Sequence, residues 1–287
     1  MTHAHLGRVI LWMTGALLSF SAMAVSIRGL ASTLNISEIL TIRNGCGLVV
    51  LATLAVARPE LRATLAPRRM VLHAFRNSVH FVSQYAWALS LTLLPLATVF
   101  ALEFTMPAWV ALLAMPILGE RMTGSRAGSI LLGFIGVLII VRPGVQTFHP
   151  AVLFVLGAAL GYAVSLIATK QLTANVGTFA ILFWMNAMQL PMALAGSDPL
   201  FFQRLGAAEM PFAVAVGVAG LASHFCLTNA FRSGDATIVV PFDFLRIPLI
   251  ALVGWLFYGE ALDFFVFAGA AVIISGVVWN LRAESRR

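Results

Sequence analysis

Long apolar runs, separated by short polar or proline-containing gaps, fill the chain almost end to end. A helix needs about 20 apolar residues to cross the hydrocarbon layer of a bilayer. The runs supply ten such segments, at 8–28, 36–57, 70–91, 96–118, 126–142, 150–169, 178–196, 211–231, 236–257 and 264–281. Nine of them are apolar around most of their circumference. The third is different: His73, Asn77, His80, Gln84 and Trp87 recur at spacings of 4, 3, 4 and 3, and so share one helical face, flanked by Arg76 and Ser83. At about 100° per residue these seven occupy an arc of roughly 120°. A face this polar is expensive against lipid, since a central Arg costs about 2.5–3.5 kcal/mol on insertion scales. It must meet protein or water, as the lining of a substrate cavity or as a buried hydrogen-bond seam between helices.

Composition agrees with the pattern. Hydrophobic residues make up 60% of the 287 and charged residues only 10%, against about 25% charged in an ordinary soluble domain. A soluble enzyme, a nucleic-acid reader and a disordered chain are excluded, and an all-α integral membrane protein remains. The net charge of +7 does not indicate nucleic acid, because the basic residues sit in the gaps between apolar runs, where they act as topology signals. With the N-terminus in the cytoplasm, the inner segments hold Arg8, Arg58, Arg62, Arg68, Arg69, Arg121, Arg126, Lys170, Arg232, Arg282, Arg286 and Arg287, and the outer segments only Arg28, Arg142 and Arg204. This bias predicts both termini inside and supports ten spans, since one span missed or invented would reverse every later loop, in a multi-pass protein of a bacterial-type inner (plasma) membrane. Arg8, the apolar stretch from Val9 and Ala22-Met23-Ala24 within it imitate a signal peptide; a retained first helix is expected. Cys46 and Cys226 lie within apolar runs at no metal-type spacing. The expected partners are a small-molecule substrate and the lipid bilayer, with no cofactor, metal or nucleic acid, in a monomer or weak homodimer.

The chain repeats itself. Ser83-Gln84-Tyr85 matches Ser223-His224-Phe225, Glu103 matches Asp243, Leu118-Gly119-Glu120 matches Tyr258-Gly259-Glu260, Gly136-Val137 matches Gly276-Val277 and Arg142 matches Arg282, each at an offset of 140. Ala97-Thr98 matches Ala236-Thr237 at 139. Five spans separate the copies, an odd number, so the two units, 1–142 and 150–287, run in opposite senses through the membrane. Inverted repeats of this kind are characteristic of secondary carriers, whose substrate site lies near the midplane where the halves meet.

Leu118-Gly119-Glu120-Arg121-Met122-Thr123 and Tyr258-Gly259-Glu260-Ala261-Leu262, each closing the fourth helix of a five-helix unit before a Gly-rich fifth, together with Arg43 in the second span, resemble the EamA-type transporters of the drug/metabolite transporter superfamily. The second copy has Ala261 where the first has Arg121, which fits an outer loop. The resemblance implies ten helices, a central cavity built mainly from helices 1, 3, 4, 6, 8 and 9, and peripheral helices 5 and 10. It also implies carriage of small metabolites such as amino acids, aromatic compounds or vitamins.

Candidate residues follow from polarity inside the spans. Substrate binding is expected from Arg76, Asn77, His80, Gln84 and Trp87 of the third span, with Trp109, Tyr162, His224, Thr228 and Arg246; Ser165, Trp184 and Asn186 are weaker candidates. By depth, Arg43 and Glu103 both fall on the outer side of the midplane, Arg76 and Asp243 on the inner side, and Arg246 near the middle. Two ion pairs at matching depths are expected. They leave one Arg to meet a carboxylate or other anionic group on the cargo, which its planar fork suits. Asp243 and Arg246, three residues apart, are also placed to neutralise each other. Glu103 and Asp243 are candidate proton carriers, because burial favours the neutral form of a carboxyl. Pro107, Pro241 and Pro248 are expected to kink helices 4 and 9 and to free backbone carbonyls toward the cavity. Gly128, Gly133, Gly136, Gly269 and Gly276 are expected to bring helices 5 and 10 close to their neighbours. No H-E-x-x-H, G-x-S-x-G or phosphate-loop motif is present, so an enzyme is not expected; a channel or a membrane-embedded enzyme using the polar stripe is the alternative. The expected motion is a rocking of two five-helix halves about a midplane cavity.

Overall fold

A computed structural model describes residues 3–118, 123–142, 149–173, 175–233 and 245–285. Within the hydrocarbon layer a backbone must satisfy its own hydrogen bonds, and the helix does so within one segment. The described chain accordingly consists of helices and short connections. They are α1 (His3–Leu30), α2 (Ile36–Ala57), α3 (Pro59–Ala63), α4 (Met70–Leu93), α5 (Leu96–Glu103), α6 (Met106–Leu118), α7 (Gly124–Val141), α8 (Ala151–Thr173), α9 (Thr178–Leu194), α10 (Met210–Ser233), α11 (Arg246–Tyr258) and α12 (Phe264–Ser285). The short α3 lies between spans 2 and 3, and α5 and α6 together form span 4. Four helices are long and apolar enough to span by themselves, five are shorter apolar helices, and α4 is long but polar. Together they make the ten-helix all-α membrane fold in two inverted repeats.

Local chemistry sets the ends. Asn35 and Glu38 form a reciprocal capping box at the start of α2, which satisfies two orphan backbone donors. Span 4 is interrupted rather than bent. The Phe104 and Thr105 amides bond to Phe100 and Leu102 carbonyls, and Thr105 Oγ1 donates to the Leu102 carbonyl at 2.8 Å. Pro107 is the second residue of α6 and Pro248 the third of α11, first-turn positions where a missing N–H is tolerated. The kink expected at each proline is thus a helix start. Pro241 lies outside the described residues. Pro191, which the sequence reading does not single out, lies inside α9.

The helices pair across the repeats. The most extensive contacts among the described residues join α1 to α10, α7 to α12, α4 to α8 and α2 to α9, with α5 against α11. Each pair joins one helix of the first repeat to one of the second. The repeats are therefore interlocked, and two separately rocking five-helix halves do not describe this packing. A Cβ built on Gly136 falls 2.6 Å from the Gly269 carbonyl oxygen, and one on Gly269 falls 2.6 Å from that of Gly136. Here α7 and α12 touch backbone to backbone, which no larger side chain permits. Large apolar residues such as Leu11, Val71, Val82, Leu131 and Phe257 remain exposed, as a lipid-facing surface requires.

Candidate functional site

The polar face of α4 turns inward. His73, Arg76, Asn77, His80, Ser83, Gln84 and Trp87 are all buried. Around them the bundle supplies Arg43 from α2, Tyr162 from α8, Gln189 from α9, His224 from α10 and Arg246 from α11, with Phe20 of α1 and Phe100 of α5 as apolar walls. The result is a buried cluster of polar side chains, a chamber in the sense that guanidiniums and rings stand on several sides of it.

Three arginines enter the chamber and each meets different neighbours. With its amide oxygen facing the guanidinium, Gln84 accepts from Arg43 Nε at 3.1 Å and NH1 at 2.8 Å. Arg43 NH1 also donates to Asn44 Oδ1 at 3.2 Å. The Arg43 stem crosses α10 at Gly220, where an added Cβ would sit 2.8 Å from its Cγ; the glycine is what lets this side chain pass. Arg76 donates from NH1 to Asn77 Oδ1 at 2.7 Å and from Nε to Thr169 Oγ1 at 3.1 Å. Arg246 lies 3.7 Å from Glu103 Oε1 and stacks over Phe20 at 3.9 Å from the ring centroid, with Phe104 and Phe100 at 5.6 and 5.7 Å. Aromatic faces attract a guanidinium through their quadrupoles, more strongly where water is excluded. Glu103 also accepts from Trp87 Nε1 at 2.8 Å.

These contacts differ from the expected pairing. Glu103 stands with Arg246 rather than with Arg43 alone at its depth, so Arg246 is not the arginine left over. The reason is the break after Glu103. It ends α5 beside the first residue of α11, and depth along separate helices does not reveal that meeting. Asp243, proposed as the partner of Arg76 or Arg246, lies outside the described residues, as does the side chain of Thr228. His80 lies with its ring centroid 5.4 Å from that of Tyr162 and 6.3 Å from that of His224. The structure therefore brings Arg43, Arg76, Asn77, His80, Gln84, Trp87, Glu103, Tyr162, His224 and Arg246 into one neighbourhood.

Trp109 is not among them. Its ring meets Phe134 edge to face at 5.5 Å, and with Thr105, Leu112, Ile130, Val137 and Leu156 it lines an apolar cavity between α6, α7 and α8. Trp184 contributes its carbonyl, which accepts from Asn77 Nδ2 at 3.3 Å. Sequence reasoning missed Gln189, Phe20, Phe100 and Thr169. Gln189 was the detectable one: it stands three residues after Asn186 in an apolar run, the spacing of a shared face. A phenylalanine in an apolar run carries no such signal.

One end of the bundle is tied by charge. Gly259 adopts a left-handed conformation (φ 63°) and ends α11, with the Glu260 amide returning to the Gly254 carbonyl at 3.1 Å. Glu260 then pairs with Arg28 and accepts from the Leu96 amide at 2.9 Å. Arg28 also donates to the Leu91 and Leu94 carbonyls. Nearby, buried Glu38 pairs with Arg204 and accepts from the Asp198 amide at 3.2 Å. The first copy of the Gly-Glu motif lies outside the described residues.

The family model described as "EamA-like transporter family" matches residues 7–142 and again 149–282. A riboflavin transporter of Rhizobium johnstonii is 31% identical over 96% of this chain and 92% of its own length. An S-adenosylmethionine uptake transporter of Rickettsia felis is 24% identical with the same two coverages. A pseudopaline exporter of Pseudomonas aeruginosa is 27% identical over 89% of each chain. A solved crystal structure superposes with a TM-score of 0.64 over 98% of both chains at 16% identity, a likeness of fold.

Proposed function

Because this chain belongs to the EamA-like transporter family, and so is a multi-pass membrane transporter of small metabolites rather than an enzyme, we propose that it is a secondary carrier. In this reading it moves a planar heteroaromatic metabolite bearing carbonyl or carboxylate acceptors across a bacterial inner membrane. The observation that carries the reading is the chamber itself. Three guanidiniums and the rings of Phe20, Tyr162, Trp87 and His224 are held together inside the bundle, where such groups are expensive unless they have work to do. Guanidinium forks suit carboxylates and carbonyls, and flat apolar walls suit a ring. The relatives' names fit this class: riboflavin and S-adenosylmethionine each contain a heteroaromatic ring system.

In this reading alternating access moves two bodies, one built on the α1–α10 pair with α2 and α11, the other on the α4–α8 pair with α5, α6 and α9, and the α2–α9 and α5–α11 contacts join them. The chamber lies between them: Arg43 to Gln84, Arg246 to Glu103 and His224 to His80 all cross the division. With both termini inside, the end held by Arg28, Glu260, Glu38 and Arg204 is the outer one. Glu103, already held by Arg246 and Trp87, is the candidate proton carrier.

The test is counterflow into proteoliposomes from a panel of labelled riboflavin, S-adenosylmethionine, aromatic amino acids and nucleosides, with and without a pH gradient. Saturable counterflow of a ring-bearing, acceptor-bearing compound is expected, reduced at least tenfold in Arg246→Ala and His80→Ala. Accumulation driven by the gradient and lost in Glu103→Gln assigns the proton site. Non-saturable flux, or counterflow indifferent to both substitutions, overturns the midplane carrier reading.

A further inference from the structure

Gln189 is fully buried on α9, and its amide settles a question about its neighbour. Gln189 Nε2 lies 3.4 Å from the Asn77 carbonyl oxygen and 3.0 Å from His80 Nδ1. A backbone carbonyl only accepts, so Asn77 determines which end of the amide faces α4: it is the NH2 end. An NH2 group only donates. His80 Nδ1 must then accept, and it carries no proton. An imidazolium would set N–H against N–H, so the same contact excludes the charged ring. A neutral imidazole has one proton, and here it sits on Nε2, in a ring whose centroid lies 5.4 Å from that of Tyr162 and 6.3 Å from that of His224.

Further hydrogen bonds of Asn77 frame this contact. Asn77 Oδ1 accepts from Arg76 NH1 at 2.7 Å, while Asn77 Nδ2 donates to the Trp184 carbonyl at 3.3 Å and to Met188 Sδ at 3.2 Å. α4 and α9 are thus also joined at Trp184 and Met188, on the N-terminal side of Gln189. A lone structural glutamine would need one partner. This one bridges a carbonyl and a ring nitrogen, and its amide orientation is determined independently of the ring.

We propose that Gln189 is a positioning residue that holds His80 as the Nε2–H tautomer, so that His80 offers the chamber a hydrogen-bond donor and selects cargo presenting an acceptor there, a carbonyl oxygen or an unprotonated ring nitrogen. The cargo half of this inference rests on the carrier reading above; the tautomer half does not. Together with the three guanidiniums, it makes the chamber predominantly donating, so a ring that presents an amino group at that point is rejected. A site built to hydrogen-bond one partner discriminates strongly against an analogue that cannot complete the bond.

The experiment has two arms on the full chain. In the first, the protein is labelled with 15N-histidine, and the ring nitrogens are read by NMR, with the His80 signals assigned by their loss in His80→Gln. The expected wild-type signature is an unprotonated Nδ1 and a protonated Nε2. Gln189→Glu replaces the donor with an acceptor and is expected to put a proton on Nδ1. Gln189→Leu is expected to mix the tautomers. A wild-type ring protonated on Nδ1, or a signature unchanged in Gln189→Glu, overturns the proposal without reference to any cargo. In the second arm, counterflow compares a cargo found in the wild type with its analogue in which an acceptor is replaced by an amino group. Gln189→Glu is expected to shift the preference toward the amino analogue at least tenfold. Unchanged preference with a changed tautomer overturns the selection half. A wild type that carries nothing from the panel overturns the carrier reading and the selection half with it, and the tautomer stands or falls on the NMR arm.

Discussion

Glu103 is the last residue of α5 and Arg246 the first of α11. Each sits at the wrong end for its charge, since a helix carries partial negative charge at its C-terminus and partial positive charge at its N-terminus. Facing one another at 3.7 Å, each offsets the other's misplacement. Trp87 Nε1 at 2.8 Å gives the carboxylate a donor besides. Breaking a buried pair by removing one partner costs about 3–5 kcal/mol, because it leaves a charge without its compensation. Glu103→Ala is therefore expected to lower the melting temperature in detergent more than the double substitution Glu103→Gln with Arg246→Gln. The reverse order would mean that the pair contributes nothing to stability. Arg246, Glu103 and Trp87 were each legible in the sequence as charged or amphipathic residues inside spans. Their meeting was not, because it joins residues 143 positions apart.

At the scale of elements, α4 was readable in detail: a 4, 3, 4, 3 spacing is a direct consequence of 3.6 residues per turn, and the whole stripe is buried. The junction of α5 and α6 was half readable. Pro107 signalled a disturbance, but proline is compatible both with a bend inside a helix and with the first turn of a new one. Only the local hydrogen bonds of Phe104 and Thr105 decide for the second. The pairing of α7 with α12 depends on the close approach at Gly136 and Gly269. Gly136→Leu is expected to force the two backbones apart and to destabilise the protein by about 1–3 kcal/mol. At Gly124 an added Cβ meets nothing within 4 Å, so Gly124→Ala is the neutral control. Thermal melts of the two variants in the same detergent check this, and equal melts would remove the close approach as a stabilising feature.

For the whole molecule, Glu260 and Arg28 tie several elements together at one end, and the carrier reading makes them a latch. Glu260 belongs to α11's end and reaches the start of α5, while Arg28 belongs to α1 and reaches the end of α4. Each side chain thereby ties one proposed body to the other. Glu260→Gln keeps the volume but removes the charge that holds Arg28. It is expected to raise the modification rate of a cysteine placed at Phe100, fully buried here, by an impermeant thiol reagent added from outside, about tenfold. No change would mean that this end is held shut by packing alone. A matching loss of transport affinity is expected if the outward state binds the cargo less well.

The ten spans, their opposed repeats, the inward polar face of α4 and the tendency of Tyr258-Gly259-Glu260 to end a helix all follow from the chain's one-dimensional pattern. Hydropathy, helical period, repeat offset and glycine's conformational freedom each act over a few turns, or recur at a fixed interval that can be counted. The tertiary structure alone decided which repeat each helix packs against, that Glu103 meets Arg246 and that Gln84 takes Arg43. It alone placed Trp109 in an apolar cavity and turned the Gln189 amide to set the ring of His80. Those are choices among several chemically equivalent partners at similar depth, and only the rotation and lateral position of each packed helix distinguish between them.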